Sequence, residues 1–269
     1  MARLLAESAL SRVEARLLLA AALGAPIESL VARPEQAVGA EAAARFAALA
    51  ARRARGEPIA YLLGEKEFFG RHFTVGPAVL VPRPETELLV EIALARLRPL
   101  ASPRVLDLGT GSGCIAATLA LERPGAAVVA VDRSAEAIEV ARGNAQRLGA
   151  TVEFLLGDWY APVRGQFDLI AANPPYVARA DPHLVALAHE PRHALVAGAD
   201  GLDDLRAIVA GAPSHLRPGG WLAVEHGHDQ AAHVRQLFEQ AGLAGIESRC
   251  DLSGIERVCV GRLGGANAG

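Results

Sequence analysis

The chain has 269 residues, 51% of them hydrophobic, and a formal net charge of -3, which predicts one large α/β domain with a smaller companion. No uninterrupted apolar stretch reaches about 18 residues, and Glu7, Arg12, Glu14 and Arg16 break the N-terminal stretch MARLLAESALSRVEARLLLAAAL, unlike a membrane span or a secretory leader, so a soluble, cytoplasmic protein is expected. Residues 1–76 carry ten basic and eight acidic side chains and the remainder seventeen and twenty-two, with Lys66 the only lysine; this is not the basic footprint of a nucleic-acid binder. Cys114, Cys250 and Cys259 form no CxxC pair and read as reduced, mostly buried thiols.

The first fifty or so residues alternate apolar and charged positions at helical spacing in LSRVEARLLLAAAL and EAAARFAALAARRA, with breaks at Gly24, Pro26 and Pro34. They predict a small helical domain. From Glu67 the pattern changes to EFFG and HFTV, separated by Gly70 and Arg71, a β-hairpin bridging two domains, followed by the linker GPAVLVPRPE. The boundary is set at residues 1–75 and 76–269. From Arg104 the runs RVLDLG, AVVAVD, VEFLLGD, FDLIAAN and GGWLAVEH are buried strands with helical patterns between most of them, implying a parallel sheet wrapped by helices. GIESRCDL and RVCVGRL are separated only by SGIE and predict an antiparallel pair at the sheet edge. The tail GGANAG is expected to be disordered.

Asp107-Leu-Gly109-Thr110-Gly111-Ser112-Gly113 follows a strand and opens the helix CIAATLALE, so its glycines permit a tight turn and close backbone approach to a ligand. Asp132 ends the second strand nineteen residues after Gly113, where a carboxylate can accept both ribose hydroxyls of an adenosine. Dinucleotide loops read GxGxxG and leave a helix N-terminus for a pyrophosphate; an acid before the glycines repels that anion and suits the sulfonium and ammonium of S-adenosylmethionine. Asp158-Trp159 closes the third strand and offers an acceptor for the adenine amino group and an indole for its ring.

Asn173-Pro174-Pro175-Tyr176 ends the fourth strand, where an open parallel sheet binds ligands. An amide or aniline-like nitrogen is a poor nucleophile, and an acceptor on each N–H favours the charge that develops as a methyl group arrives. The Asn173 side-chain oxygen and the Pro174 carbonyl can be those acceptors. The prolines fix the backbone, and Tyr176 offers a flat face to a planar group. The spacing leads to transfer of a methyl group to a planar nitrogen and no further.

Seven strands ending in a reversed pair resemble the class I methyltransferase sheet, Rossmann-like and mostly parallel. The loop, Asp132 and the tetrad, in this order, resemble N-methyltransferases bearing (N/D)PP(Y/F/W), which act on adenine, guanine or glutamine. Residues 51–90, ARRARGEPIAYLLGEKEFFGRHFTVGPAVLVPRPETELLV, are similar to the domain junction of the HemK-type release-factor glutamine methyltransferases, and EPRHALVAGADGLDDLRAIV and LRPGGWLAVEHGHDQ resemble further segments of that family. That resemblance implies methylation of the glutamine in the Gly-Gly-Gln tripeptide of class I peptide-chain release factors. It further implies that the residues from Asp107 to Gly113, Asp132, Trp159 and Asn173 bind S-adenosylmethionine and that Asn173 to Tyr176 hold the glutamine. A monomer without a nucleic-acid partner is expected.

Other segments carry weaker signals. PRPETE places Arg83 between prolines before a helix whose first turn carries Glu85 and Glu87, an ordinary helix start that in the resembling family lies near the cleft. Glu190 and His193 are candidates for shaping the cleft or for a surface loop. His226, His228 and His233 lack a companion ligand cluster and read as solvated loop residues, with no metal expected. Two further functions stay open on the residues alone: a nucleic-acid methyltransferase acting on a flipped base, and a non-catalytic S-adenosylmethionine-binding module.

Overall fold

The computed structural model describes residues 4–5, 8, 10–32 and 35–265, which divide into two compact units, 1–66 and 67–269. The predicted break at Pro34 and the last four residues of the predicted tail lie outside the described residues.

In the first unit, helix α1 (Arg12–Leu23) begins at a capping box in which Ser11 and Glu14 satisfy each other's backbone N–H groups, and it ends on Gly24 at φ 62°. Reciprocal capping and a left-handed glycine are strong local start and stop signals. α2 (Ile27–Ala32), α3 (Ala40–Ala54) and α4 (Ile59–Leu63) follow. Leu18, Leu19, Leu30, Phe46 and Leu62 from these helices pack into one core, and Arg53 of α3 bonds Glu14 of α1 at 2.8 Å.

Strands β1 (Glu65–Phe68) and β2 (Arg71–Thr74) form a two-stranded sheet. The turn between them is Phe69-Gly70, one residue earlier than expected, with φ 51° and 70°. Positive φ at both turn residues matches the twist of a tight hairpin, so Arg71 belongs to the strand.

The second unit is built on a seven-stranded sheet. Its strands are β3 (Arg104–Leu108), β4 (Ala127–Asp132), β5 (Val152–Leu156), β6 (Phe167–Ala172), β7 (Leu216–Glu225), β8 (Leu243–Cys250) and β9 (Glu256–Leu263), in the order β5-β4-β3-β6-β7-β9-β8. The first five are parallel. β9 runs antiparallel between β7 and the edge strand β8, so the last pair is reversed as expected, and β7 starts earlier than GGWLAVEH suggested. The interleaved helices are α5 (Glu87–Leu97), α6 (Cys114–Glu122), α7 (Ala135–Leu148), α8 (Asp203–His215) and α9 (Ala231–Gln240).

Alternate strand residues face opposite layers. Val105, Leu169 and Ala223 pack with Leu89 and Ile92 of α5 and Ile115 of α6. Leu106, Ile170 and Val224 pack with Leu205 and Ile208 of α8 and Phe238 of α9. Burial on both faces explains the continuous apolar runs in the sequence. The register Leu108↔Val131, Leu108↔Ala172 and Ala172↔Val224 brings the carboxyl ends of the parallel strands level, so that the glycine loop, Asp132, Asn173 and Glu225 follow at one rim.

Candidate active site

A cleft of about 880 Å³, counted to its open mouth, lies at that rim. Its wall includes Gly109 to Ser112, Asp132, Asp158, Trp159, Asn173 and Pro175. These are most of the residues singled out in the sequence, drawn from four strand ends.

The glycine loop is held from below and from the side. The N–H groups of Gly109 and Thr110 both bond the Val131 carbonyl at 2.9 Å, Gly111 N–H donates to Asp132 Oδ2 at 2.8 Å, and Ser134 N–H donates to Oδ1 at 2.9 Å. Asp132 is 9% exposed; each of its oxygens keeps a lone pair for a hydroxyl in the cleft. A Cβ on Gly109 would come within 3.3 Å of the Trp159 ring, and one on Gly113 would come within 3.0 Å of Ala141 on α7. Gly109 therefore serves the cleft, whereas Gly113, which is not on the wall, serves close packing of loop on helix.

Asp107 does not reach the cleft either. It is fully buried under the loop, where Oδ2 accepts from the Thr110 hydroxyl at 2.6 Å and Oδ1 has no partner among the described residues. Burial pushes its carboxyl up to about 7, against the pull of Thr110. Any effect of this acid on a cationic ligand is exerted through the loop that it supports.

Trp159 stands at φ 40°, a backbone that costs a residue with a Cβ about 1–2 kcal/mol. The following turn is pinned by the Tyr160 hydroxyl on the Ile208 carbonyl at 2.8 Å. Asp158 is mostly exposed, 3.9 Å from Arg133 Nε. Asp204, from the first turn of α8, also lines the cleft; burial raises its carboxyl, opposed by Arg133 and the Trp159 indole.

In the tetrad, Asn173 Nδ2 donates to Thr86 Oγ1 at 3.0 Å, while Asn173 Oδ1 is buried with no partner among the described residues. Pro174 is buried. Tyr176 is off the wall; its hydroxyl donates to Glu225 Oε1 at 3.3 Å and its carbonyl accepts from Gln230 Nε2 at 3.0 Å. Burial and the neighbouring Glu225 carboxylate raise the phenol, which is a neutral donor here rather than an exposed flat face. The backbone at Gly201 packs so close that a Cβ would fall 2.3 Å from the Tyr176 carbonyl.

Some contributors escaped the sequence reading, whereas Arg83, Glu190 and His193 were named there as candidates near the cleft. The segment read as a linker supplies Ala78, Val79, Leu80, Pro82 and Arg83 to the cleft wall, and Thr86 follows it. Glu190 is buried, not on a surface loop: it accepts from Val81 N–H at 3.1 Å and pairs with Arg83, and His193 lies on the wall. His226 is fully buried, with Nδ1 2.8 Å from the Gly227 carbonyl, and burial lowers its pKa; only His228 and His233 of the three are exposed. The signal for these positions was the density of Pro, Arg and Glu in PRPETE and EPRHAL, which looks like helix capping unless the two segments are known to meet.

The sheet order, the glycine loop and the strand-end acid define an S-adenosylmethionine-dependent methyltransferase. Residues 84–247 match the family described as methyltransferase small domain, and residues 1–64 match the PrmC N-terminal domain. A release factor glutamine methyltransferase of Burkholderia pseudomallei is 53% identical over 98% of this chain and 96% of its own. That of Bordetella pertussis is 53% identical over 97% and 98%. A methyltransferase from Pyrococcus furiosus shares the fold at a TM-score of 0.55 and 20% identity, covering 80% of this chain and 97% of its own. The chain belongs to the release factor glutamine methyltransferase family.

Proposed function

We propose that the cleft binds S-adenosylmethionine along the glycine loop and Asp132, and that Asn173 and Pro174 receive the side-chain amide of a glutamine in a class I release factor. The substrate follows from family membership, and the Gly-Gly-Gln context from the resemblance in residues 51–90. The cofactor supplies an electrophilic methyl group on a sulfonium. The residues present fit it: Asp132 offers acceptors for ribose hydroxyls, Trp159 and Ile115 offer apolar surface for the adenine, and Gly109 keeps the loop free of a side chain that would strike the indole.

The observation that carries the catalytic reading is the unpartnered Asn173 Oδ1 on a cleft residue. A buried acceptor without a donor is costly, and a substrate N–H satisfies it. Accepting that hydrogen bond raises electron density on the amide nitrogen and stabilises the charge that grows there as the methyl group transfers. The proline backbone holds the second acceptor, the Pro174 carbonyl, without an entropic cost at binding. The helical unit is assigned recognition of the body of the release factor, because one amide supplies too little area for specificity.

Replacing Asn173 by Ala tests the assignment. Turnover is expected to fall about a hundred- to a thousandfold, the scale for one preorganised partner of developing charge, with a smaller change in affinity for S-adenosylhomocysteine. A loss of affinity as large as the loss in rate assigns Asn173 to the cofactor alone.

A further inference from the structure

We propose that Thr86 and Glu225 are positioning residues that decide which end of the Asn173 amide faces the substrate. The inference rests on the reading of Asn173 as acceptor for the substrate N–H and goes one layer beneath it. A primary amide can be turned over with almost no change of shape. Left to itself, Asn173 would offer the cleft an NH2 group as readily as an oxygen, and an NH2 facing an amide N–H is repulsive.

Three observations break that symmetry. Asn173 Nδ2 sits 3.0 Å from Thr86 Oγ1, and a hydroxyl has a single hydrogen to give. Glu225 is 1% exposed at the end of β7, where its Oε2 is buried with no hydrogen-bond partner among the described residues; burial raises its carboxyl to about 7, and the nearby Thr86 hydroxyl opposes this by favouring the charged form. Tyr176 donates to the other carboxylate oxygen, Oε1. The orphaned Oε2 is thus the acceptor toward which the Thr86 hydrogen turns. With that hydrogen committed, Oγ1 can only accept from Asn173, so the NH2 end is drawn to Thr86 and Oδ1 is left for the cleft. The chain of donors, from Asn173 to Thr86 to Glu225 with Tyr176 closing the far side, runs in one direction only. Neither Thr86 nor Glu225 needs to touch substrate for this.

The test uses the full-length enzyme with purified release factor, measuring kcat, KM and affinity for S-adenosylhomocysteine. Thr86→Val, which keeps the shape and removes the hydroxyl, is expected to lower kcat about ten- to hundredfold, the scale of a misplaced catalytic group. KM and cofactor affinity should stay within about twofold, and Thr86→Ser, which restores the hydroxyl, should recover most of the rate. In an Asn173→Ala background, Thr86→Val should cost no further rate, because its effect passes through the missing amide. Equal losses in both backgrounds, or a serine variant no better than valine, overturn the proposal. If Thr86→Val does not bind S-adenosylhomocysteine, Glu225→Gln takes its place: a rate loss confined to the Asn173 background supports the chain of donors, and an additive loss overturns it. Wild-type turnover in Asn173→Ala alone would overturn the acceptor reading, whereas an impaired Asn173→Ala beside fully active Thr86 and Glu225 variants overturns only this inference.

Discussion

Asp132 Oδ2 holds the Gly111 N–H at 2.8 Å while its Oδ1 holds Ser134 N–H at 2.9 Å. The carboxylate is therefore both a wall of the cleft and a brace for the glycine loop and for the start of α7. Its removal deprives a ligand of charge-assisted bonds of about 1.5–3 kcal/mol each and loosens the loop that the ligand rests on. Asp132→Ala is expected to weaken S-adenosylhomocysteine binding strongly. Asp132→Asn should be nearly as damaging, because its NH2 group would face one of two N–H donors. Calorimetric titration checks both, and an unchanged dissociation constant in either removes Asp132 from the site.

The three loop glycines should separate on substitution by alanine. Gly113→Ala forces a Cβ to within 3.1 Å of backbone on α7 at φ 78°, so it should destabilise the fold by about 2–5 kcal/mol, the sum of strain and overpacking. Gly111→Ala meets nothing within 4 Å, leaving a conformational cost of about 1–2 kcal/mol. Gly109→Ala presses on the Trp159 ring and should act mainly on cofactor affinity. Urea unfolding and S-adenosylhomocysteine titration of the same three proteins distinguish the outcomes.

Stability of the cofactor-free enzyme should fall as pH rises from about 4.5 to 7. Burial lifts Asp107 and Glu225 each to about 7, whereas in the unfolded chain such carboxyls release their protons near about 4. Within that window the unfolded state binds fewer protons, so raising the pH favours it, and the contribution present in acid is lost through the folded pKa. Tyr176, Glu85, Arg257 and Cys114 are the titratable or charged neighbours of Glu225. Glu225→Gln should flatten its share of the slope in urea unfolding between these pH values, and should also flatten the acidic limb of turnover near neutral pH. A slope identical to that of the wild type would show that Glu225 ionises normally.

Much of this was legible in the sequence, for a physical reason. Strands buried on both faces leave unbroken apolar runs, and a cofactor that meets the backbone at close range leaves glycines at fixed offsets, so β3, β4, β6 and the Asp107 to Gly113 loop are readable without a structure. The chain of donors behind Asn173 was not. Thr86, Tyr176 and Glu225 lie in segments separated by dozens of residues, and nothing local distinguishes Thr86 from a helix-start threonine or Glu225 from a solvated strand end. His226 was misjudged for a similar reason, and Glu190 was left open between cleft and surface loop, since burial of a polar residue in a Pro- and Gly-rich segment depends on what packs over it. Asp107 shows the converse, a residue whose motif position suggested direct contact but whose side chain turns beneath the loop.

Removing residues 1–66 tests the role assigned to the helical unit. Methylation of intact release factor should drop sharply while S-adenosylhomocysteine binding persists, because recognition of a folded protein needs more surface than a tripeptide offers. A truncated enzyme that modifies the factor as well as the whole chain would place recognition in the catalytic unit.

The most direct measurement supplies the full-length enzyme with labelled S-adenosylmethionine and, in parallel, purified class I release factor, ribosomal RNA and DNA, followed by peptide mass spectrometry of the modified product. The account predicts label on the release factor alone, with the mass of one added CH2 group on the glutamine of its Gly-Gly-Gln loop. Label on ribosomal RNA or DNA, or on any other residue of the factor, would contradict it.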